Sequence, residues 1–272
     1  KVIAAPAVLV VSGLAYLFSA AATWALPEVR PARSQTSSGF WAEAGHGLSF
    51  TLKHPLVRPL MGSVALVNAA GLCAAGAKVV FVLNSLRVPV DQLVALGAVS
   101  AAGGLVASLM ATGVTHRIGI GKTKVLASLA GAGFMALVPA APALGLQPVF
   151  WVGLSGFGWS YFVVLTGLAG AGILPRLVPA GLMGRAMSSY RLVTLGVMPV
   201  ASLAGGALAL LAGEAAALWA AAFIAATAAL PVVVSPLRSW KTFPEDLDVH
   251  RPAQPSTTAQ GVDVPLAPTP TV

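Results

Sequence analysis

PLVRPLMGSVALVNAAGLCAAGAKVVFVLNSL, residues 55–86, is the stretch that decides the fold of this chain. Read as one α-helix, residues 59–86 would be roughly 42 Å long, enough to cross the ~30 Å apolar core of a bilayer with some tilt. Both strongly polar side chains, Asn68 and Lys78, share one stripe at steps of three and four residues, made of Met61, Val64, Asn68, Gly71, Ala75, Lys78 and Val82. A buried amine costs about 2.5 to 3.5 kcal/mol in hydrocarbon. We therefore predict a membrane-spanning helix whose polar stripe faces protein or a wet cavity.

Composition excludes a water-soluble domain. Hydrophobic residues make up 57% of the 272 residues and charged residues 9%, whereas a soluble domain carries about 25% charged residues. The net charge of +8 does not indicate nucleic-acid binding, because the cations cluster in short loops between apolar runs. Cys73 is the only cysteine, so no disulfide framework and no metal cluster is predicted. The start at Lys1, within an apolar run too long for a signal-peptide core, indicates a fragment.

Hydropathy predicts an all-α polytopic membrane protein with seven transmembrane helices. The predicted spans are 2–26, 59–86, 92–114, 125–141, 149–174, 187–211 and 215–234. Residues 27–54 form a predicted linker, in which 40–52 is amphipathic and fits a short helix at the membrane surface or, alternatively, a solvated linker helix. A helical bundle is predicted over 55–234, and a disordered tail rich in Pro and Thr over 235–272.

Loop charges predict the orientation. One side carries nearly all the cations, namely Arg30, Arg33, Lys53, Arg58, Arg117, Lys122, Lys124, Arg176, Arg185, Arg238 and Lys241. The other side has little beyond Lys1 and Arg87. By the positive-inside rule the first side and the C-terminus are cytoplasmic, in a cell (inner or plasma) membrane. Two rows of small residues at four-residue spacing predict close helix contacts: Gly103, Ala107 and Ala111, and Ala201, Gly205 and Ala209.

No catalytic arrangement is found in the sequence. The four histidines lie in loops or in the tail, no span has a central Asp or Glu, and a phosphate-binding GxxxxGK[ST] motif is absent. We therefore predict that the chain is not an enzyme and uses no cofactor or metal.

A polar lining of two spans is the candidate site. In 59–86 it consists of Asn68 and Lys78, and in 149–174 a mixed aromatic and hydroxyl face is formed by Trp151, Ser155, Trp159, Phe162 and Thr166. Such a face suits a pathway for amphipathic organic molecules. The alternative is that Trp151 belongs to the interfacial aromatic belt and the others only pack. Arg191 could contact substrate or extend to the cytoplasmic surface, and Lys78 could likewise extend outward.

Several short motifs, in order, resemble the major facilitator superfamily, in particular its branch of drug and macrolide efflux proteins and enterobactin exporters. They are Ala42-Glu43 with Gly47-Leu48, Phe50 and His54-Pro55-Leu56-x-Arg58; Arg117-Ile118-Gly119-Ile120-Gly121-Lys122; Val178-Pro179 with Gly184-Arg185, Tyr190-Arg191 and Met198-Pro199; and Ser235-Pro236-Leu237-Arg238. The resemblance covers about residues 1–244. It departs from the family's loop signature at His116, which stands where an acid is expected.

The resemblance implies helix six plus the C-terminal six-helix half of a twelve-helix transporter. It implies that residues 55–86 are helix seven, with Lys78 toward the outer leaflet, and that the basic turn with Arg117, Gly119, Gly121 and Lys122 is a cytoplasmic motif. The implied function is proton-driven efflux of small organic compounds by alternating access, with coupling acids in an N-terminal half. The implied partners are the lipid bilayer, a small organic substrate and protons, but not nucleic acid.

Two other hypotheses remain open from the sequence. One is a non-transporting membrane half-protein, since half a transporter offers one wall of a pathway. The other is a seven-helix receptor or photoprotein with an intramembrane lysine, Lys78. That lysine lies in the second span rather than the last, and no span offers a carboxylate counter-ion.

Overall fold

The computed structural model describes residues 4–24, 49, 51–179, 182–241 and 244. Most of the predicted linker and surface helix, and nearly all of the predicted tail, lie outside these residues and stay predictions. The chain divides into two compact units, Lys1–Ser37 and Ser38–Val272. The first contains helix α1, Ala4–Trp24, within the predicted span 2–26; whether α1 crosses a membrane also stays a prediction.

The regular elements among the described residues of the second unit are all helices. Its helices are α2 (Val57–Val80), α3 (Val90–Ile118), α4 (Ile120–Ala140), α5 (Pro148–Ala171), α6 (Ile173–Leu177), α7 (Met183–Ala212), α8 (Glu214–Thr227) and α9 (Leu230–Val233). Six stretches among the described residues are long and apolar enough to cross a membrane, with α5 and α6 counted together, as are α8 and α9. Each coincides with a predicted span to within a few residues. The prediction of a helical protein with several helices long and apolar enough to cross a membrane is confirmed.

One predicted loop is wrong. The basic turn expected over 116–124 is a single residue, Gly119, because α3 continues to Ile118 and α4 begins at Ile120. No proline lies between Ile120 and Val138, so the helix can start directly after Gly119. The residues predicted as loop therefore lie in the ends of two spans.

Along the chain the six long helices form two successive triplets, α2–α3–α4 and α5–α7–α8, which pack mainly against each other. The first helix of each triplet packs against the second and third helices of the other triplet: α2 against α7 and α8, and α5 against α3 and α4. The third helices, α4 and α8, pack against each other. Exchanging the two triplets leaves this set of contacts unchanged. The bundle therefore has the helix packing of a two-fold internal repeat.

The joints between helices have the same symmetry. The second and third helices of each triplet are linked by one glycine of nearly identical backbone, Gly119 (φ 94°, ψ 153°) and Gly213 (φ 89°, ψ 160°). Each glycine N–H donates to the carbonyl four residues earlier, at 2.9 Å for Gly119 and 3.0 Å for Gly213. Each glycine carbonyl accepts from the N–H four residues later. A positive φ of this size is open to glycine and strained for other residues.

Glycines also mark two close helix crossings. A Cβ at Gly103 of α3 would overlap the backbone of Phe157 in α5, and a Cβ at Gly205 of α7 would overlap that of Cys73 in α2. The predicted small-residue rows include both glycines. Gly103, Ala107 and Ala111 are the buried residues of α3, so the packing role predicted for that row is confirmed.

The end of α2 departs from regular geometry. Phe81–Ser85 forms a π-helical turn, in which Leu86 N donates to Phe81 O at 3.0 Å. Arg87 follows with a φ of 52°, which is unusual for a residue other than glycine. Lys78 lies one turn before this distortion.

Candidate functional site

Trp159 of α5 lies between two other helices. A Cβ added at Gly71 of α2 would be 3.7 Å from Cζ2 of the indole, and one added at Gly131 of α4 would be 3.6 Å from Cε3. Both distances are ordinary van der Waals contacts, so the indole packs directly against α2 and α4. It lies where the first helices of the two triplets approach each other.

Phe162 and Thr166 continue the same face. The centroid of the Phe162 ring is 4.9 Å from the ring centroid of Tyr161 and 5.6 Å from that of Phe134 in α4. Trp159, Phe162 and Thr166 together line a cavity of about 10 Å³. This volume suits one water molecule, so the aromatic face is packed shut in this conformation.

Asn68 serves a contact between helices. Its Nδ2 donates to the backbone carbonyl of Thr194 in α7 at 2.8 Å, and Thr194 Oγ1 donates back to Tyr190 O, also at 2.8 Å. A side-chain amide paired with a carbonyl across an apolar interface fixes the register of the two helices. Asn68 is half-buried, so part of the side chain still reaches the surface of the bundle.

The other predicted site residues are separate from this face. Lys78 is half-buried in α2, and Arg191 is exposed on α7. Ser155 is buried in α5, one turn before Trp159. Trp151 Nε1 is buried and has no hydrogen-bond acceptor within the described residues, which differs from the wet environment of an interfacial belt.

Among the described residues, Lys124 is the charged residue whose side chain is buried, and the sequence analysis did not identify it as buried. Its side chain is 1% exposed, and Nζ donates to Thr166 O at 2.9 Å and contacts Thr166 Oγ1 at 3.4 Å. No carboxylate approaches it within the described part of the chain. An ammonium held by one carbonyl and one hydroxyl retains a third N–H donor. Lys124 is therefore a second lysine, besides Lys78, that lies within a helix long and apolar enough to cross a membrane.

A sequence signal for Lys124 did exist. Steps of three and four residues from Gly121 give Lys124, Ser128, Gly131, Met135 and Val138, and all are buried. The stripe of buried residues therefore runs through the lysine without interruption. Because Lys124 was assigned to a loop, the predicted span began only at residue 125, and the stripe was not recognised as including the lysine.

The two glycines of the predicted loop motif, Gly119 and Gly121, contact segment 236–241, which follows the last helix. Ile120 N donates to Lys241 O at 3.3 Å, and Gly121 N donates to Trp240 O at 3.2 Å. A Cβ at Gly121 would overlap the backbone around Leu237 and lie 2.8 Å from Arg238 Cα. Gly119 and Gly121 therefore let segment 236–241 lie against the start of α4. The motif's cations, Arg117 and Lys122, remain exposed.

No protein-family model, curated protein or solved structure matches this chain. Its function is therefore inferred only from its residues and their packing.

Proposed function

We propose that this chain is the helix-six and C-terminal part of a major facilitator type secondary transporter, which exports small organic compounds by alternating access and is driven by protons. The observation that carries the proposal is the exchange symmetry of the two triplets. Transporters of this kind are built from three-helix repeats of opposite membrane orientation, with the substrate site where the repeats meet. Three crossings per triplet would give the two triplets that opposite orientation.

The candidate lining residues agree with this symmetry. Asn68 and Lys78 lie on α2, and Ser155, Trp159, Phe162 and Thr166 lie on α5. These are the first helices of the two triplets, and so they are equivalent in the repeat. Asn68 and Trp159 also lie on facing sides, since Gly71, one turn from Asn68, is the residue that the indole contacts.

In the proposed transport cycle, the packed aromatic face would correspond to a closed conformation. The cavity at Trp159 holds about 10 Å³, which is far below the volume of a drug-sized site. Substrate passage would require α5 to move away from α2 and α4, which a rocking motion of the bundle would provide. Trp159 would then offer a flat apolar surface and Asn68 a polar contact.

The test is efflux from cells that express the complete gene, across a broad panel of organic cations, neutral drugs and siderophore-like compounds. We expect lower accumulation in expressing cells, abolished by a protonophore. Trp159→Ala should reduce efflux at least tenfold, while Trp219→Ala, an exposed tryptophan of α8, should not. Equal accumulation in expressing and empty cells for every compound would refute transport, and a retinal-dependent absorbance band would favour a photoprotein.

A further inference from the structure

A cavity of about 480 Å³ opens at the basic end of the bundle. One wall is the last part of α3, which contributes the side chains of Ser108, Thr112 and Thr115. The opposite wall comes from the end of α5 and from α6 and includes Leu168. This cavity, called the basic basin below, is separate from the aromatic face around Trp159.

The described lining of the basic basin contains cationic side chains. Arg176 and Lys241 line it, together with His116, and among the described residues no Asp or Glu does. The hydroxyls of Thr112 and Thr115 make no hydrogen bond within the described part of the chain, so both can donate to a ligand. Two cations with two available hydroxyl donors suit an anion with several acceptor oxygens, such as a phosphate ester.

The depth of the basic basin distinguishes a lipid from a soluble anion. Ser108 lies ten residues before the end of α3, so the basin extends about 15 Å along that helix into the apolar layer. Ser108 and Leu168 are both exposed, and Leu168 retains 46% of its surface. The inner end is therefore open sideways, where acyl chains would be. A soluble phosphate would use the cations but leave this inner part empty.

We propose that the basic basin binds the headgroup of an anionic glycerophospholipid from the leaflet at the basic end of the bundle. Arg176 and Lys241 hold the phosphate, and Thr112 and Thr115 hydrogen-bond to the glycerol and ester oxygens. The first acyl carbons pass Leu168 into the bilayer. Segment 236–241 brings Lys241 to the basin through the bonds of its backbone to the start of α4.

The test is lipid binding to the purified full chain in a neutral detergent, measured by native mass spectrometry. Phosphatidylglycerol is titrated against phosphatidylcholine, and inorganic phosphate and glycerol 3-phosphate are added as competitors. We expect saturable binding of one phosphatidylglycerol, weakened on the order of 30-fold in the double variant Arg176→Gln/Lys241→Gln. The matched control, Arg117→Gln/Lys122→Gln, removes two exposed cations of the same end that lie outside the basin.

Equal loss in both double variants would mean general surface attraction and would overturn the site. Competition by millimolar glycerol 3-phosphate or inorganic phosphate would assign the site to a soluble phosphate instead and would overturn the lipid source. Absence of saturable phosphatidylglycerol binding to the unaltered chain would also overturn it. If the first double variant does not fold, Thr112→Val/Thr115→Val should still weaken binding several-fold, and an unchanged affinity there would refute the site. None of these readouts depends on transport.

Discussion

The crossing of α2 and α7 can be tested with two adjacent glycines. A Cβ at Gly205 would lie 2.8 Å from Cys73 Cα, whereas a Cβ at Gly206 has nothing within 4 Å. Carbon atoms need about 3.5 Å, and the carbonyl oxygen of Cys73 would lie closer still, so Gly205→Ala must separate the two helices by at least about 0.7 Å at this point. Gly206→Ala adds the same methyl group without that separation.

The expected free energies follow from these distances. Overpacking a close contact costs about 1–3 kcal/mol, while Ala in place of Gly in a helix gains up to about 1 kcal/mol. The gain from replacing Gly by Ala in a helix applies to both variants. The difference between their free energies of unfolding therefore measures the cost of overpacking at Gly205. At about 2–4 °C per kcal/mol for a chain of this size, Gly205→Ala should unfold several degrees below Gly206→Ala in detergent.

Cys73 provides a direct assay of the separation. It is the only cysteine, it is 5% exposed, and its backbone is the surface that Gly205 contacts. Maleimide labelling of Cys73 under native conditions should be faster in Gly205→Ala than in the unaltered chain and unchanged in Gly206→Ala. Equal melting temperatures and equal labelling rates for the two variants would refute a backbone-level crossing here.

Three further predictions concern single residues. Gly121→Ala should displace segment 236–241, because its Cβ would lie 2.8 Å from Arg238 Cα, and so speed trypsin cleavage after Arg238; Gly133→Ala, with nothing within 4 Å, is the control. Lys124→Met should leave the melting temperature unchanged or raise it by the equivalent of about 1 kcal/mol, since an apolar chain of similar length avoids burying a charge; a large drop would reveal a carboxylate partner. Burial lowers the pKa of His54, whose Nδ1 accepts the Leu56 N–H, so stability from neutral His54 is complete above about pH 6.5 and is lost as pH falls through the folded pKa. His54→Gln should flatten the fall in melting temperature between pH 8 and pH 5, and a slope identical to that of the unaltered chain would contradict this.

The span positions could be predicted because hydropathy acts over many residues at once. The stretch 59–86 corresponds to Val57–Ser85, and 187–211 to Met183–Ala212. The row of Gly103, Ala107 and Ala111 was also predictable as packing, since small residues allow helices to approach. These properties are local to one helix.

The candidate site was harder to predict because it depends on which helices meet. The expected pathway role of Asn68 stays a prediction, whereas the hydrogen bond of its amide to Thr194 O was not foreseen, because no sequence pattern specifies that carbonyl. Lys124 was assigned to a loop from its charge, although the stripe through Ser128 and Gly131 places it in α4. The contact of Trp159 with Gly71 joins residues 88 positions apart, a distance over which a single sequence carries no signal.

The two single-glycine joints share a backbone but not a charge. Gly119 is surrounded by Arg117, Lys122 and Lys124, whereas Gly213 is followed by Glu214 and flanked by apolar residues. During membrane insertion, cations are retained on the cytoplasmic side, so equal turns with unequal charges would be sorted to opposite sides. Topogenesis of the two triplets would then depend on a few side chains beside the glycines rather than on the turns themselves. If the Gly119 joint is cytoplasmic, as its charges predict, two arginines placed beside Gly213 would favour retention of both joints on that side and leave the second triplet with conflicting insertion signals.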